Sequence, residues 1–259
     1  MATFNTTGVV NQSISRVGTT EPFDLQVSRG QISGHSGVEI FGYTPNISNT
    51  ATGPMWEGQT QSGGLYTPPS AAAPLVLVST STSDTTALSV RIEGCGADFV
   101  ELSETIALNG TTNVTTTNSF LRINAMYVTN GTNVGTITAK ISSTTYAQIN
   151  PGIGQTQMSI YTVPAGYTFY LSYTQYDAAI GFTSSSYMTS QEYNKDNVSG
   201  AVNVTHQTVF VQKQETPFTS PIAHTEKTDL QFCVKSSAGG PLACSMYAGG
   251  YLIKNDGAL

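Results

Sequence analysis

Apolar residues recur along this chain with a period of two, and no stretch sustains the three-to-four spacing of an amphipathic helix. Leu88, Val90 and Ile92 alternate with Ser89, Arg91 and Glu93. Tyr167, Phe169, Leu171 and Tyr173 alternate with Thr168, Tyr170 and Ser172. Val202, Val204 and Phe210 share the parity of a third run, with His206 and Thr208 between them. Met246, Ala248 and Leu252 oppose Tyr247, Tyr251 and Ile253 in the last. Successive side chains of a strand point to opposite faces, so each run predicts a half-buried strand. The residues filling these runs are the β-branched and aromatic types that suit a pleated surface. Two shorter strands are predicted near Asp24–Gln31 and Val38–Tyr43.

The punctuation agrees. Asn109-Gly110 and Asn130-Gly131 each lie between strand-like runs and tolerate the positive φ that a tight hairpin demands. Val163-Pro164-Ala165-Gly166-Tyr167 reads as a turn in which proline presets φ. Strands therefore recur about every 8 to 12 residues, the spacing of a sandwich or barrel. We expect an all-β chain of two jelly-roll-like β-sandwich units with an extended N-terminal arm. Residues 1–73 would hold the arm, short strands and a wrapping loop, residues 74–150 the first sandwich, and 151–259 the second. The loop Thr50–Pro74 carries the only tryptophan, Trp56.

Composition excludes several functions. Only 10% of the 259 residues are charged, with a net charge of −6, against about 25% charged in an average soluble protein. Thr, Ser and Asn together number 80. So few lysines and arginines cannot coat many phosphates, so no nucleic acid partner is expected. Hydrophobic residues at 39% are enough to build a core, which argues against disorder. No run of 18 apolar residues and no basic start followed by an apolar stretch is present, so neither a membrane span nor a secretory leader is expected. The eight Asn-x-Ser/Thr sequons then read as chance in so Asn- and Thr-rich a chain.

Each chemical constellation fails on spacing. Gly34-His35-Ser36-Gly37 lacks the spacing of a nucleophile turn, and neighbours on extended backbone face opposite ways. His206 reads as a hydrogen-bonded sheet residue, and His224 as a loop residue after Pro221. Cys95, Cys233 and Cys244 are an odd set with no Cys-x-x-Cys. Cys233 and Cys244 are either bridged or, with Cys95, small apolar residues in a reducing compartment. Asp98, Glu101 and Glu104 form the densest acidic group and read as hairpin charges, the competing reading being a carbohydrate-cleaving pair. Glu104 shares its face with Leu102, Ile106 and Leu108. A bulge near Ser103, a pairing with Arg91 or Arg122, and a functional carboxylate are the three explanations. No catalytic residue, metal or cofactor is expected. Tyr167, Tyr170, Tyr173 and Tyr176 lie on both faces of one run and suit either core and subunit interface or a glycan platform.

Three stretches resemble a known family: Phe23–Ser36 followed by Ile40–Tyr43; Leu102–Ile106 with Leu108–Gly110 and Thr116–Arg122; and Gln155–Tyr167. They are similar to a group of virion structural proteins of tailed bacteriophages, especially phages of cyanobacteria and other aquatic bacteria. Pro221–Asp229 is similar to that family's Pro-x-x-Glu-Lys-x-Asp segment, with a longer gap. The resemblance covers most of residues 23–235 and does not extend to Asp177–Asn203 or to the Cys233/Cys244 pair. It implies a non-enzymatic virion component assembled in the host cytoplasm: a capsid decoration (cement) protein, or a neck, tail or fibre protein that binds host polysaccharide. The implied partners are further copies of the chain, as a homotrimer or higher oligomer, and the major capsid protein or neck/tail proteins.

Overall fold

The computed structural model describes residues 21–56, 58, 64–179, 186–238 and 242–255. The expected arm up to Thr20 lies outside them. Helix α1 (Phe23–Ser28) leads into β1 (His35–Thr44) and the short β2 (Gly53–Pro54). Then come β3 (Ala73–Ser79), β4 (Ser89–Cys95), β5 (Glu101–Ala107), β6 (Val114–Phe120), β7 (Arg122–Val128), β8 (Ile137–Ile141) and β9 (Thr144–Ile149). The remainder is β10 (Ile160–Thr162), β11 (Tyr167–Ala178), β12 (Met188–Asp196), β13 (Val202–Phe210), β14 (Lys213–His224), β15 (Thr228–Ser236) and β16 (Cys244–Lys254).

The all-β expectation holds. One sandwich faces sheet β1-β16-β11-β14 against sheet β10-β15-β12-β13, with β2 continuing the line of β10 along β15. All pairings are antiparallel. Counting its eight main strands in chain order, the two sheets run 1-8-3-6 and 2-7-4-5. That order is two interlocked Greek keys, a jelly roll. The other sandwich, β6-β3-β8-β9 over β5-β4-β7, is spliced into the chain between β2 and β10. Phe169, Leu171, Tyr176, Leu230, Phe232 and Met246 fill the jelly roll; Leu75, Leu77, Ile92, Phe120, Met126 and Ile137 fill its companion. Burying each such side chain contributes about 1.5–3 kcal/mol.

The expected turns form, but Asn109 and Asn130 do not take positive φ and neither Asn-Gly pair closes a tight hairpin, since β5 and β6, like β7 and β8, lie in different sheets. Gly110, Gly131 and Gly166 take φ of +58°, +74° and +81°. The alternation also places Val90 and Ile92, and Met246, Ala248 and Leu252, inside. Elsewhere bulges reset it. The β11 register shifts between Leu171 and Tyr173, so Phe169 and Leu171 are buried before the shift and Thr174 and Tyr176 after it. Gly250 crosses that bulge; a Cβ there would lie 2.1 Å from the Tyr170 carbonyl oxygen.

Four expectations are corrected. Asp24–Gln31 is not a strand. Phe23 and Val27 are one helical turn apart; Val27 is buried, Phe23 packs edge-on to Tyr251 at 5.0 Å, and Gly30 ends the helix at φ +65°. Val202 and Val204 do not share a face with Phe210. The β12–β13 register passes from Glu192↔His206 to Tyr193↔Val204, which makes Thr205 an extra residue and turns both valines outward. They are 58% and 45% exposed, and Phe210 only 7%. His224 ends β14 and is buried. Glu104 needs neither bulge nor arginine: the β4–β5 register is continuous, and its carboxylate accepts the N–H groups of Thr117 and Asn118 at 2.8 Å each.

The three cysteines are free and buried, with no bridge between Cys233 and Cys244. Burial pushes all three thiols up, Cys95 and Cys244 to about 12. The described part of the Thr50–Pro74 loop straps its own chain. Trp56 is buried against Tyr66, and Tyr66 exchanges two hydrogen bonds with Gln231.

Asp84 anchors the loop between β3 and β4. Burial alone would raise its carboxyl, but hydrogen bonds from the Ser79 hydroxyl and the N–H groups of Val134 and Gly135 outweigh burial and lower it. A carboxyl lower in the folded than in the unfolded chain contributes stability above its unfolded pKa, about 3.9, and loses that contribution as pH falls through the folded value. Asp84→Asn is expected to lower the unfolding midpoint at pH 7 and to narrow the gap to wild type below about pH 4, read from denaturant melts at both pH values.

Candidate functional site

A cleft of about 600 Å³ opens between β1 of the jelly roll and the sheet β5-β4-β7 of the inserted sandwich. Its polar lining comes from alternate residues on facing strands: Glu39 on β1, Arg91 and Glu93 on β4, Glu101 on β5, and Tyr127 on β7. Arg91 and Glu93 point the same way because the buried Val90 and Ile92 take the other face.

Glu93 is the hub. Its Oε1 accepts the Arg91 Nε–H at 2.8 Å and the Tyr127 hydroxyl at 2.8 Å. Burial and the bond to Glu93 raise the Tyr127 hydroxyl, so it stays a donor through the neutral range. Burial, then the Glu39 carboxylate beside it, raises Tyr247 on β16. A carboxylate already holding two donors, one of them a guanidinium, is a hydrogen-bonding platform rather than a free general base. The cleft lies within the usual size range of ligand sites, about 300–1,000 Å³, and its groups suit hydroxyl-rich ligands.

The predicted acidic trio does not converge there. Asp98 sits in the left-handed turn before β5, at φ 59°. Glu101 faces the cleft, whereas Glu104 is three residues on and turned toward β6. His35 opens β1, with Nδ1 2.9 Å from the Ser33 carbonyl oxygen and its ring edge-on to Phe23; Ser36 is not its partner. His206 lies on β13 and bonds to the Thr208 hydroxyl at 2.9 Å. Among the described residues no group of three or more His, Cys, Asp or Glu side chains is placed to hold a metal ion.

Behind the cleft the two sandwiches are locked by a buried ion pair that the sequence reading missed. Arg122 on β7 grips Asp229 on β15 with two parallel bonds, Nε to Oδ1 at 2.8 Å and Nη2 to Oδ2 at 2.9 Å. Thr162 and Asn197 donate to the same carboxylate at 2.7 and 2.9 Å. Arg122 also donates to the Pro69 and Leu121 carbonyls and lies 5.0 Å over the Phe99 ring. Partners 107 residues apart leave no local signal, apart from the cost of charge in so uncharged a chain.

No family model matches the chain, and no curated protein does. Among solved structures it overlaps a mutant VP2 protein of infectious bursal disease virus, at 10% identity over 86% of this chain and 70% of that one, TM-score 0.20. It also overlaps a VP2 subviral particle of the same virus, at 8% identity over 94% and 76%, TM-score 0.21. Overlap at that level establishes neither a common fold nor a function.

Proposed function

We propose that this chain is a non-enzymatic building block of a tailed-bacteriophage virion, a capsid decoration protein that cements the head through contacts between subunits. The observation that carries the reading is the jelly roll with a second sandwich spliced into it and locked by Arg122–Asp229. Jelly rolls recur in capsid and lectin domains, which is analogy at the level of fold; the sequence resemblance supplies the phage. The mechanism is geometric: a stiff two-sandwich body presents fixed surfaces to copies of itself and to the major capsid protein. Quantitative mass spectrometry of purified particles tests it. Tens to hundreds of copies per particle are expected, while about three to a dozen, as in a ring, would place the chain in the neck or tail. Absence from particles overturns both placements.

The cleft favours a second reading, a tail or fibre protein that binds host polysaccharide, because Arg91, Glu93 and Tyr127 present fixed donors and acceptors to hydroxyl groups. On that reading, purified protein binds host glycans and Arg91→Ala weakens binding at least tenfold; no binding removes it.

A further inference from the structure

The outer strands of the four sheets are protected, with one exception. β14 carries Lys213, Glu215, Pro217 and Pro221; β5 carries Glu101 and Glu104; β1 carries Glu39 and is packed by α1. β2 and β10 have only two and three residues. On β6 the Thr117 and Asn118 N–H groups are taken by Glu104, and β7 and β9 pack on each other. Charges, prolines, bulges, shortness and cover are the devices by which sheet edges avoid pairing with other chains.

Among the described residues β13 has only a bulge, at Thr205, and neither charge, proline, shortness nor cover. It is nine residues long and ends its sheet. From Asn197 to Gln212 the chain contains no Asp, Glu, Lys, Arg or Pro. The extra residue Thr205 turns Val202 and Val204 to the same outer face as Val209, and Val211 follows just beyond the strand. These four valines are 58%, 45%, 57% and 54% exposed.

We propose that β13 is a homotypic docking edge, pairing antiparallel with β13 of a second copy across a two-fold axis, so that the sheet β10-β15-β12-β13 runs on into its partner. The bulge makes the strand complementary to itself. With the axis at Gln207, Val204 faces Val209 of the partner subunit and Val202 faces Val211 of the partner subunit. Thr205 and His206 together oppose Thr208 of the partner subunit, so side chains opposite one another share a face throughout. The strand carries no charged side chain to be placed against one of a second copy. One strand pair is small beside a standard interface, so the association is reversible and concentration-dependent. This deepens the building-block reading by naming its self-contact.

The test uses the full chain in solution, independently of particles. Sedimentation is expected to show mass doubling with concentration. Val204→Lys is expected to raise the dissociation constant at least tenfold, while Thr219→Lys on the guarded β14 edge leaves it unchanged. Gln207→Cys is expected to give a disulfide-linked dimer under mild oxidation that wild type, with its cysteines buried, does not give. Facing residues of an antiparallel pair lie about 4.5–5.5 Å apart, within disulfide reach. Three results overturn the proposal: a monomer at all concentrations, association indifferent to Val204→Lys, or association lost in Val204→Lys with no Gln207→Cys cross-link. The last would assign the edge to another occupant, such as residues 1–20 of a neighbouring copy. A β13 dimer absent from particles would sink the virion reading alone.

Discussion

Arg122→Ala is expected to destabilise the protein by about 3–5 kcal/mol, the cost of leaving a buried charge without its partner. Both side chains of the pair are under 10% exposed, at 8% and 7%. Without the guanidinium, Asp229 keeps only Thr162 and Asn197, and the Pro69 and Leu121 carbonyls lose their donor. Asp229→Asn keeps the shape but leaves the Arg122 charge unpaired and sets an amide NH2 against donors, so it is expected to be strongly destabilising as well. An Arg122→Met/Asp229→Leu pair is expected to recover much of the loss, because two apolar groups strand no charge. Trp56 is a convenient reporter, being the single tryptophan and packed on Tyr66, which is itself bonded to Gln231 of β15. Its fluorescence in urea is expected to change at lower denaturant in Arg122→Ala than in wild type. Equal midpoints would mean that the strap and the apolar contacts alone hold the sandwiches together.

What the sequence discloses follows from the range of each interaction. Alternation is local, so β4, the first half of β11 and β16 could be read directly, and Asn-Gly pairs marked their turns. One inserted residue defeats parity. Thr205 reverses the face of Val202 and Val204, and nothing in its own chemistry announces it. The helix at Phe23–Ser28 was misread because Leu25 and Val27 also alternate and six residues are too few to display a helical period. The cleft was less legible than the fold. Arg91 and Glu93 were visible as the polar face of a strand, but Glu39 and Tyr127 join them only through the packing of β1 against the inserted sandwich. Glu104 shows the same limit from the other side: the conflict on its face was visible, and its resolution by two backbone N–H groups of β6 was not.

The largest effect inside the jelly roll is expected from a second buried pair. His224 Nε2 lies 3.0 Å from Glu192 Oε1, and the two side chains are 4% and 3% exposed. They join β14 of one sheet to β12 of the other. Ser190 bonds Gln214 across the same gap at 2.9 Å, and Asn194 accepts the Thr205 hydroxyl at 2.7 Å while its amide donates to Glu192 Oε1 at 3.2 Å. A polar layer therefore lies between the sheets, with the His224 ring stacked on Phe169 at 6.1 Å. His224→Leu leaves the Glu192 carboxyl enclosed and is expected to cost about 3–5 kcal/mol. Glu192→Gln keeps the shape and an amide facing the imidazole, so its cost should be the smaller, about 1 kcal/mol. Glu192→Met/His224→Leu should recover most of the loss if desolvation of an unpaired charge is its cause. Denaturant midpoints of the three variants decide the matter. If the double variant were as unstable as His224→Leu, the damage would come from the lost stacking on Phe169 and the changed volume, and the carboxylate would not be the cause. A His224→Leu protein as stable as wild type would show that the pair does not hold the sheets together at all.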